Sequence, residues 1–137
     1  DTIRIPESGP KYFIAFSCNS TSFLGVHPVP PIDKQMFLER NHQMDIIIEE
    51  AVKIQEGRLC IFGDLNSVPW AKCSVDFQVL TGMKRMGFPQ PSWNTGNPLF
   101  SMPLDQLFAA KGDVIHKMGY ADLPGSDHRM LIFTIAQ

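Results

Sequence analysis

Leu59-Cys60-Ile61-Phe62-Gly63-Asp64-Leu65-Asn66 decides how this chain is read. Four apolar residues in a row have the pattern of a strand buried on both faces. Gly63 lets the backbone leave the sheet, and Asp64 and Asn66 follow at its carboxyl edge, where α/β sheets bind ligands. Residues two apart share one side of an extended chain, so a carboxylate and an amide can face one substrate. Gly, Asp and Asn are also the residues that turns prefer, and taken alone the stretch reads more simply as a turn.

Upstream, Lys11 to Asn19 reads as a strand around Tyr12, Phe13, Ile14 and Phe16, and Ser22 to His27 as a second, stopped by Pro28, Pro30 and Pro31. Asp33 is placed to cap a helix reaching Gln55 or Glu56, with Gly57 as its stop. Met36, Phe37, Arg40, Met44, Ile47, Ile48, Ala51 and Val52 share one face at helical spacing. Downstream, a second helix is expected from Ser74 to Met86, ended by Gly87. Three strands are expected at Leu104 to Ala109, Val114 to Met118 and Met130 to Ala136. Strand, strand, helix, strand, helix and three strands make a mixed α/β (α+β) plan, with helices covering a sheet.

The 137 residues fit a single domain with a real core. Hydrophobic residues make up 44% and charged ones 19%, the balance of an ordinary globular protein. A formal net charge of −2 supplies no bulk positive field to gather nucleic acid. No run approaches the roughly 20 apolar residues of a membrane-spanning helix. Cys18, Cys60 and Cys73 form no metal-ligand spacing, and Cys60 is expected to pack as a small buried hydrophobe.

A second polar constellation, Gly125-Ser126-Asp127-His128-Arg129, precedes the last strand. A carboxylate beside an imidazole suits a hard-metal ligand next to a group acting on phosphate. Asp105 lies in the apolar run Pro103 to Phe108, where a carboxylate needs a partner, and an imidazole is the obvious one. His27 closes a strand ahead of a proline-stiffened segment, where it can bind phosphate or simply end the strand. Arg40 shares its helix's apolar face, where pairing with a carboxylate or reaching a substrate are both open. Trp70 and Trp93 fall in loops and suit either packing or an aromatic wall beside a site. His42 and His116 read as surface residues.

The joint order of these features is more specific than any one of them. His27-Pro28, Arg40-Asn41, Gly63-Asp64-Leu65-Asn66, Pro69-Trp70, Trp93, Pro103-Leu104-Asp105 and Gly125-Ser126-Asp127-His128-Arg129 together resemble the endonuclease/exonuclease/phosphatase superfamily. The likeness is strongest to bacterial members with a proline-rich segment after the first histidine. It runs from His27 nearly to the end of the chain.

The resemblance implies a Mg²⁺-dependent phosphoesterase, with Mn²⁺ as a substitute, hydrolysing a phosphodiester or phosphomonoester by in-line attack of water. Asp64 would orient or deprotonate the water and is a possible metal ligand. Asn66 would hold the scissile phosphate, and Asp127 would contribute to the metal site. His128 would stabilise the transition state or act as a base, its ring oriented by Asp105. His27 would contact phosphate, and Trp93 would stand beside the substrate. Gln106 occupies a position where many relatives have histidine.

One departure sets a further expectation. The family begins with a strand bearing a catalytic asparagine and then a metal-binding glutamate, and neither motif precedes His27. The only nearby glutamate, Glu7, sits in Pro-Glu-Ser-Gly. Residues 1–137 are therefore expected to form a single partial domain lacking its N-terminal half, which is half of a four-layer α/β sandwich. Such a chain would be poorly active and would self-associate through a bare sheet face. The alternative function is a non-catalytic binding or interaction domain on the same fold.

Overall fold

The computed structural model describes residues 3–4, 12–54, 57–94, 96–97, 99–110 and 115–135. Strand β1 (Ile3–Arg4) pairs with β2 (Phe13–Cys18), which turns back into β3 (Thr21–Val26). The two-residue turn Asn19-Ser20 holds both residues at positive φ, 48° and 60°, whose twist matches that of the flanking strands. Helix α1 (Lys34–Ile54) crosses from β3 to β4 (Arg58–Asp64), and these two strands pair in parallel. A parallel pair needs such a crossover. Helix α2 (Lys72–Thr81) and the short β5 (Lys84–Arg85) follow, and β6 (Asp105–Ala109) inserts between β4 and β5. The sheet order is β1-β2-β3-β4-β6-β5, antiparallel except for β3–β4.

β7 (Ile115–Asp122) and β8 (Arg129–Ile135) form a separate two-stranded sheet. The sequence reading placed these strands in one sheet whose second face stayed bare. Instead the hairpin lies across that face. Ile115, Met118, Leu131, Phe133 and Ile135 pack with Phe23, Cys60, Leu107 and Ala109, and the Phe62 and Phe133 rings meet at 5.4 Å. On the other face α1 and α2 bury Met44, Ile47, Ala51 and Phe77 against Ala15, Leu24, Leu59, Ile61 and Phe108. The helices therefore cover one face, as expected. Cys60 is fully buried, and that burial pushes its thiol up to about 11.

Asp33 does cap α1: its Oδ1 accepts the Met36 N–H at 2.8 Å. The buried stripe of that helix runs through Arg40, Gln43, Met44, Ile47 and Ala51, while Phe37 and Val52 stand half exposed. Gln43 belongs inside because its Oε1 accepts the Val29 N–H and its Nε2 donates to Glu39. Helix α2 stops earlier than expected, at Gly82, which takes the left-handed conformation with φ 66°. The Thr81 hydroxyl donates to the Phe77 carbonyl, and the Arg85 N–H donates to Gln78 Oε1, steering the chain into β5. Lys11, Gln55, Glu56, Val114 and Ala136, at the expected element ends, and Glu7 lie outside the described residues.

Candidate active site

Strand register brings the two carboxylates together. Asp64 ends β4, Asp105 begins β6, and the two are direct cross-strand partners. Gly63 makes the approach of β3 possible. With φ 137°, a Cβ there would stand 2.1 Å from the Val26 carbonyl oxygen, so no side chain fits. β3, parallel to β4, ends at the same edge and delivers His27, whose N–H donates to the Tyr12 carbonyl at 2.8 Å.

The two oxygens of Asp64 have separate surroundings. Oδ1 accepts the Asn66 N–H at 2.7 Å. Oδ2 faces two imidazoles, with His27 Nε2 and His128 Nε2 each 3.7 Å away. Both distances exceed a direct hydrogen bond and are short enough to be bridged through a shared group. Burial pushes the Asp64 carboxyl above its ordinary value of 3.8, and the neighbouring Asp105 charge adds to this. The Asn66 N–H and the two histidines act in the opposite direction.

His128 Nδ1 lies 2.8 Å from Asp105 Oδ2. An ionised Asp105 accepts the Nδ1 proton, fixing the ring so that Nε2 points toward Asp64. Asn66, at φ 47°, donates from Nδ2 to the Pro28 carbonyl at 2.8 Å, tying its loop to the proline segment after His27. The Arg40 guanidinium, almost fully buried, donates to the Asn66 carbonyl at 3.1 Å and braces the same loop from α1. Asp64, Asn66, Asp105, His128 and His27 therefore converge on one sheet edge.

Trp93 and Asp127 form a second, adjoining pair. The indole Nε1–H donates to Asp127 Oδ2 at 3.0 Å, and Trp93 bridges to both Met102 and His128 along the backbone. Trp93 thus holds the loop that carries Asp127 and His128.

Solved structures with this arrangement of helices and strands include NExo, a 3′ phosphatase from Neisseria bound to product DNA hairpin. It matches at TM-score 0.68 and 12% identity, over 99% of this chain and 70% of that one. The endonuclease domain of TRAS1, a telomere-specific non-LTR retrotransposon, matches at 0.66 and 16%, over 90% of this chain and 60% of that one. The chain shares its fold with these phosphatase and endonuclease structures. The mannosyl-6-phosphatase Bt3783 of Bacteroides thetaiotaomicron is also similar, at 0.56 and 14%, over 91% of this chain and 56% of that one. No family model and no curated protein matches the sequence.

The metal that this superfamily resemblance implies finds only part of a site. Among the described residues, no group of three or more His, Cys, Asp or Glu side chains is arranged to hold an ion. One Asp127 oxygen is already engaged by the Trp93 indole. The described residues alone do not fit a complete metal centre.

Sequence reasoning missed three supporting residues. Ser92, fully buried, accepts the N–H groups of both Leu104 and Asp105 on its hydroxyl, at 3.1 and 2.9 Å. The Tyr120 hydroxyl donates to the Asp105 carbonyl at 2.9 Å. Gln106, also buried, donates to the Ser67 carbonyl at 2.6 Å. A serine in a loop carries no sequence signal for such a role. A glutamine inside an apolar strand does, because a buried amide needs a partner.

Proposed function

We propose that this chain carries the acid–base half of a phosphoesterase site, hydrolysing a phosphodiester or phosphomonoester. The observation that carries this is the Asp105–His128 pair aimed at Asp64, a partly buried carboxylate between two imidazoles. Asp64, a better base than an ordinary carboxylate because of its burial, accepts a proton from the attacking water. The water oxygen bonds to phosphorus as the bond to the leaving oxygen breaks in line. His128 Nε2 and His27 Nε2 contact the phosphoryl oxygens. One Asn66 amide hydrogen is used on Pro28, and the other donates to the scissile phosphate. Asp105 is a positioning residue that acts through His128. Trp93 positions Asp127 and offers its ring as one wall.

Mg²⁺, with Mn²⁺ as substitute, is the proposed cofactor. When bound, such an ion draws charge from phosphoryl oxygens. Asp127 and Asp64 would supply two of its ligands, and water and substrate oxygens would complete its shell. The incomplete cluster also favours a second reading, a domain of this fold that binds a phosphorylated ligand without turning it over. Self-association is proposed through the part of the sheet face beside the hairpin where Tyr12, Phe13, Ile14 and Phe62 line an open apolar groove.

Hydrolysis of bis(p-nitrophenyl) phosphate and of p-nitrophenyl phosphate, in Mg²⁺ and in EDTA, tests the reading. Turnover in Mg²⁺ that His128→Ala lowers by orders of magnitude, to a rate still measurable, is the expected result. Phosphate binding without turnover would favour the second reading. Sedimentation velocity showing only monomer at high concentration would end the self-association proposal.

A further inference from the structure

A groove on the helix layer, separate from the Asp64–His128 edge, runs between α1 and α2. Phe37, Met44 and Ile48 line it from α1, and Ala71, Cys73 and Leu80 from the α2 side, around a volume of about 440 Å³. Apolar walls with a few polar groups, at that size, are what small-molecule sites have. Arg40 belongs to the same lining and is only 5% exposed. Its guanidinium pairs with no carboxylate among the described residues. Nε donates to Asn41, Nη1 donates to the Asn66 carbonyl, and the Phe37 ring lies 5.2 Å from the guanidinium carbon. Nη2 has no acceptor among the described residues, and it is not sealed from solvent. A cation held inside without a counter-ion is costly, and an anion in the groove would relieve that cost.

The start of α2 adds donors of its own. Ala71 cannot cap the helix with its methyl group, and no acidic residue occupies the first turn. The Lys72 and Cys73 N–H groups find no acceptor among the described residues, while those of Ser74 and Val75 share the Ala71 carbonyl. These free donors carry the positive end of the helix dipole. Arg40 and this helix start meet on one loop: Arg40 holds the Asn66 carbonyl, and Cys73 Sγ lies 2.9 Å from the hydroxyl of Ser67.

The remaining charges of the lining select the ligand. Lys72 is paired with Asp76, and Asp45 is exposed. A doubly charged phosphate would meet both of these carboxylates as well as Arg40. A carboxylate brings a single charge and matches the flat edge of a guanidinium. We propose that the groove binds a small amphiphilic carboxylate. Its head sits on Arg40 Nη2 and the first N–H groups of α2, and its apolar body lies along Phe37, Ile48 and Leu80. This assignment does not depend on the phosphoesterase reading.

The test is isothermal titration calorimetry of the full chain with octanoate, kept below its micelle concentration, and with 1-octanol as the uncharged counterpart. Octanoate is expected to bind one to one. Octanol is expected to bind at least about tenfold more weakly, because the charge-assisted hydrogen bonds are lost. Amide NMR shifts on adding octanoate are expected to centre on Lys72 and Cys73. Arg40→Gln is expected to weaken octanoate binding at least about tenfold. That change also removes a brace on the Asn66 loop, so Leu80→Glu serves as a second variant. It alters an exposed position, sets a negative charge beside the ligand, and is expected to weaken binding while far-ultraviolet circular dichroism matches the wild type. Four outcomes would overturn the proposal: a wild-type chain that does not bind octanoate, equal affinity for octanol, amide shifts confined to other elements, or unchanged affinity in Leu80→Glu.

Discussion

His128 and Asp105 meet at 2.8 Å, Nδ1 to Oδ2, across a sheet edge where neither residue is the other's neighbour in sequence. The contact decides which imidazole nitrogen is left to face Asp64. Asp105→Asn can present its amide hydrogens to Nδ1 and so turn the ring or reverse its tautomer. The expected result is a loss of about a hundredfold or more in kcat with little change in KM, typical of a misplaced acid–base group. Steady-state kinetics of the variant check this.

Asp64 is held against its own preference. Its folded pKa is raised by burial above the ordinary value of 3.8, so the folded state binds the proton more tightly than the unfolded one. Stability from this group is therefore full below its unfolded pKa and is lost as pH rises through the folded value. Asp64→Asn is expected to raise Tm at pH 7 in EDTA and to give no gain near pH 3, while abolishing turnover. Thermal melts at the two pH values measure it.

Asn66 combines a left-handed backbone, φ 47°, with a side-chain bond to the Pro28 carbonyl. Asn66→Ala loses both the tolerance and the bond, and should cost about 1–3 kcal/mol. Asn66→Gly restores the backbone freedom and should cost less. Urea denaturation of the pair separates the two contributions.

Ser92 satisfies two N–H groups at the start of β6 with one hydroxyl. Ser92→Ala leaves both buried donors without that acceptor, at a cost of about 1–3 kcal/mol for such a group. Asp105 is one of the two, so activity should fall along with Tm. A variant with unchanged melting and unchanged rate would remove Ser92 from the account.

Much of this was legible in the sequence, for physical reasons that differ along the chain. The Leu59–Phe62 strand and the Asp33 cap follow from local pattern and local hydrogen bonding, and both are present. The juxtaposition of Asp105 with an imidazole was legible because a carboxylate in an apolar strand demands a partner. The separate β7–β8 sheet was not, since strand pattern does not say which strands pair. Helix α2 was overextended because two glycines, Gly82 and Gly87, compete as stops, and both take positive φ. Ser92 and the engagement of Asp127 by Trp93 depend on long-range contacts that spacing cannot reveal.

The double-mutant cycle between Asp105 and His128, measured as phosphodiester hydrolysis in Mg²⁺, tests the central claim most directly. If Asp105 acts through His128, the double variant Asp105→Asn/His128→Ala will be no slower than His128→Ala alone. Losses that add, or a wild-type chain without turnover, would contradict it.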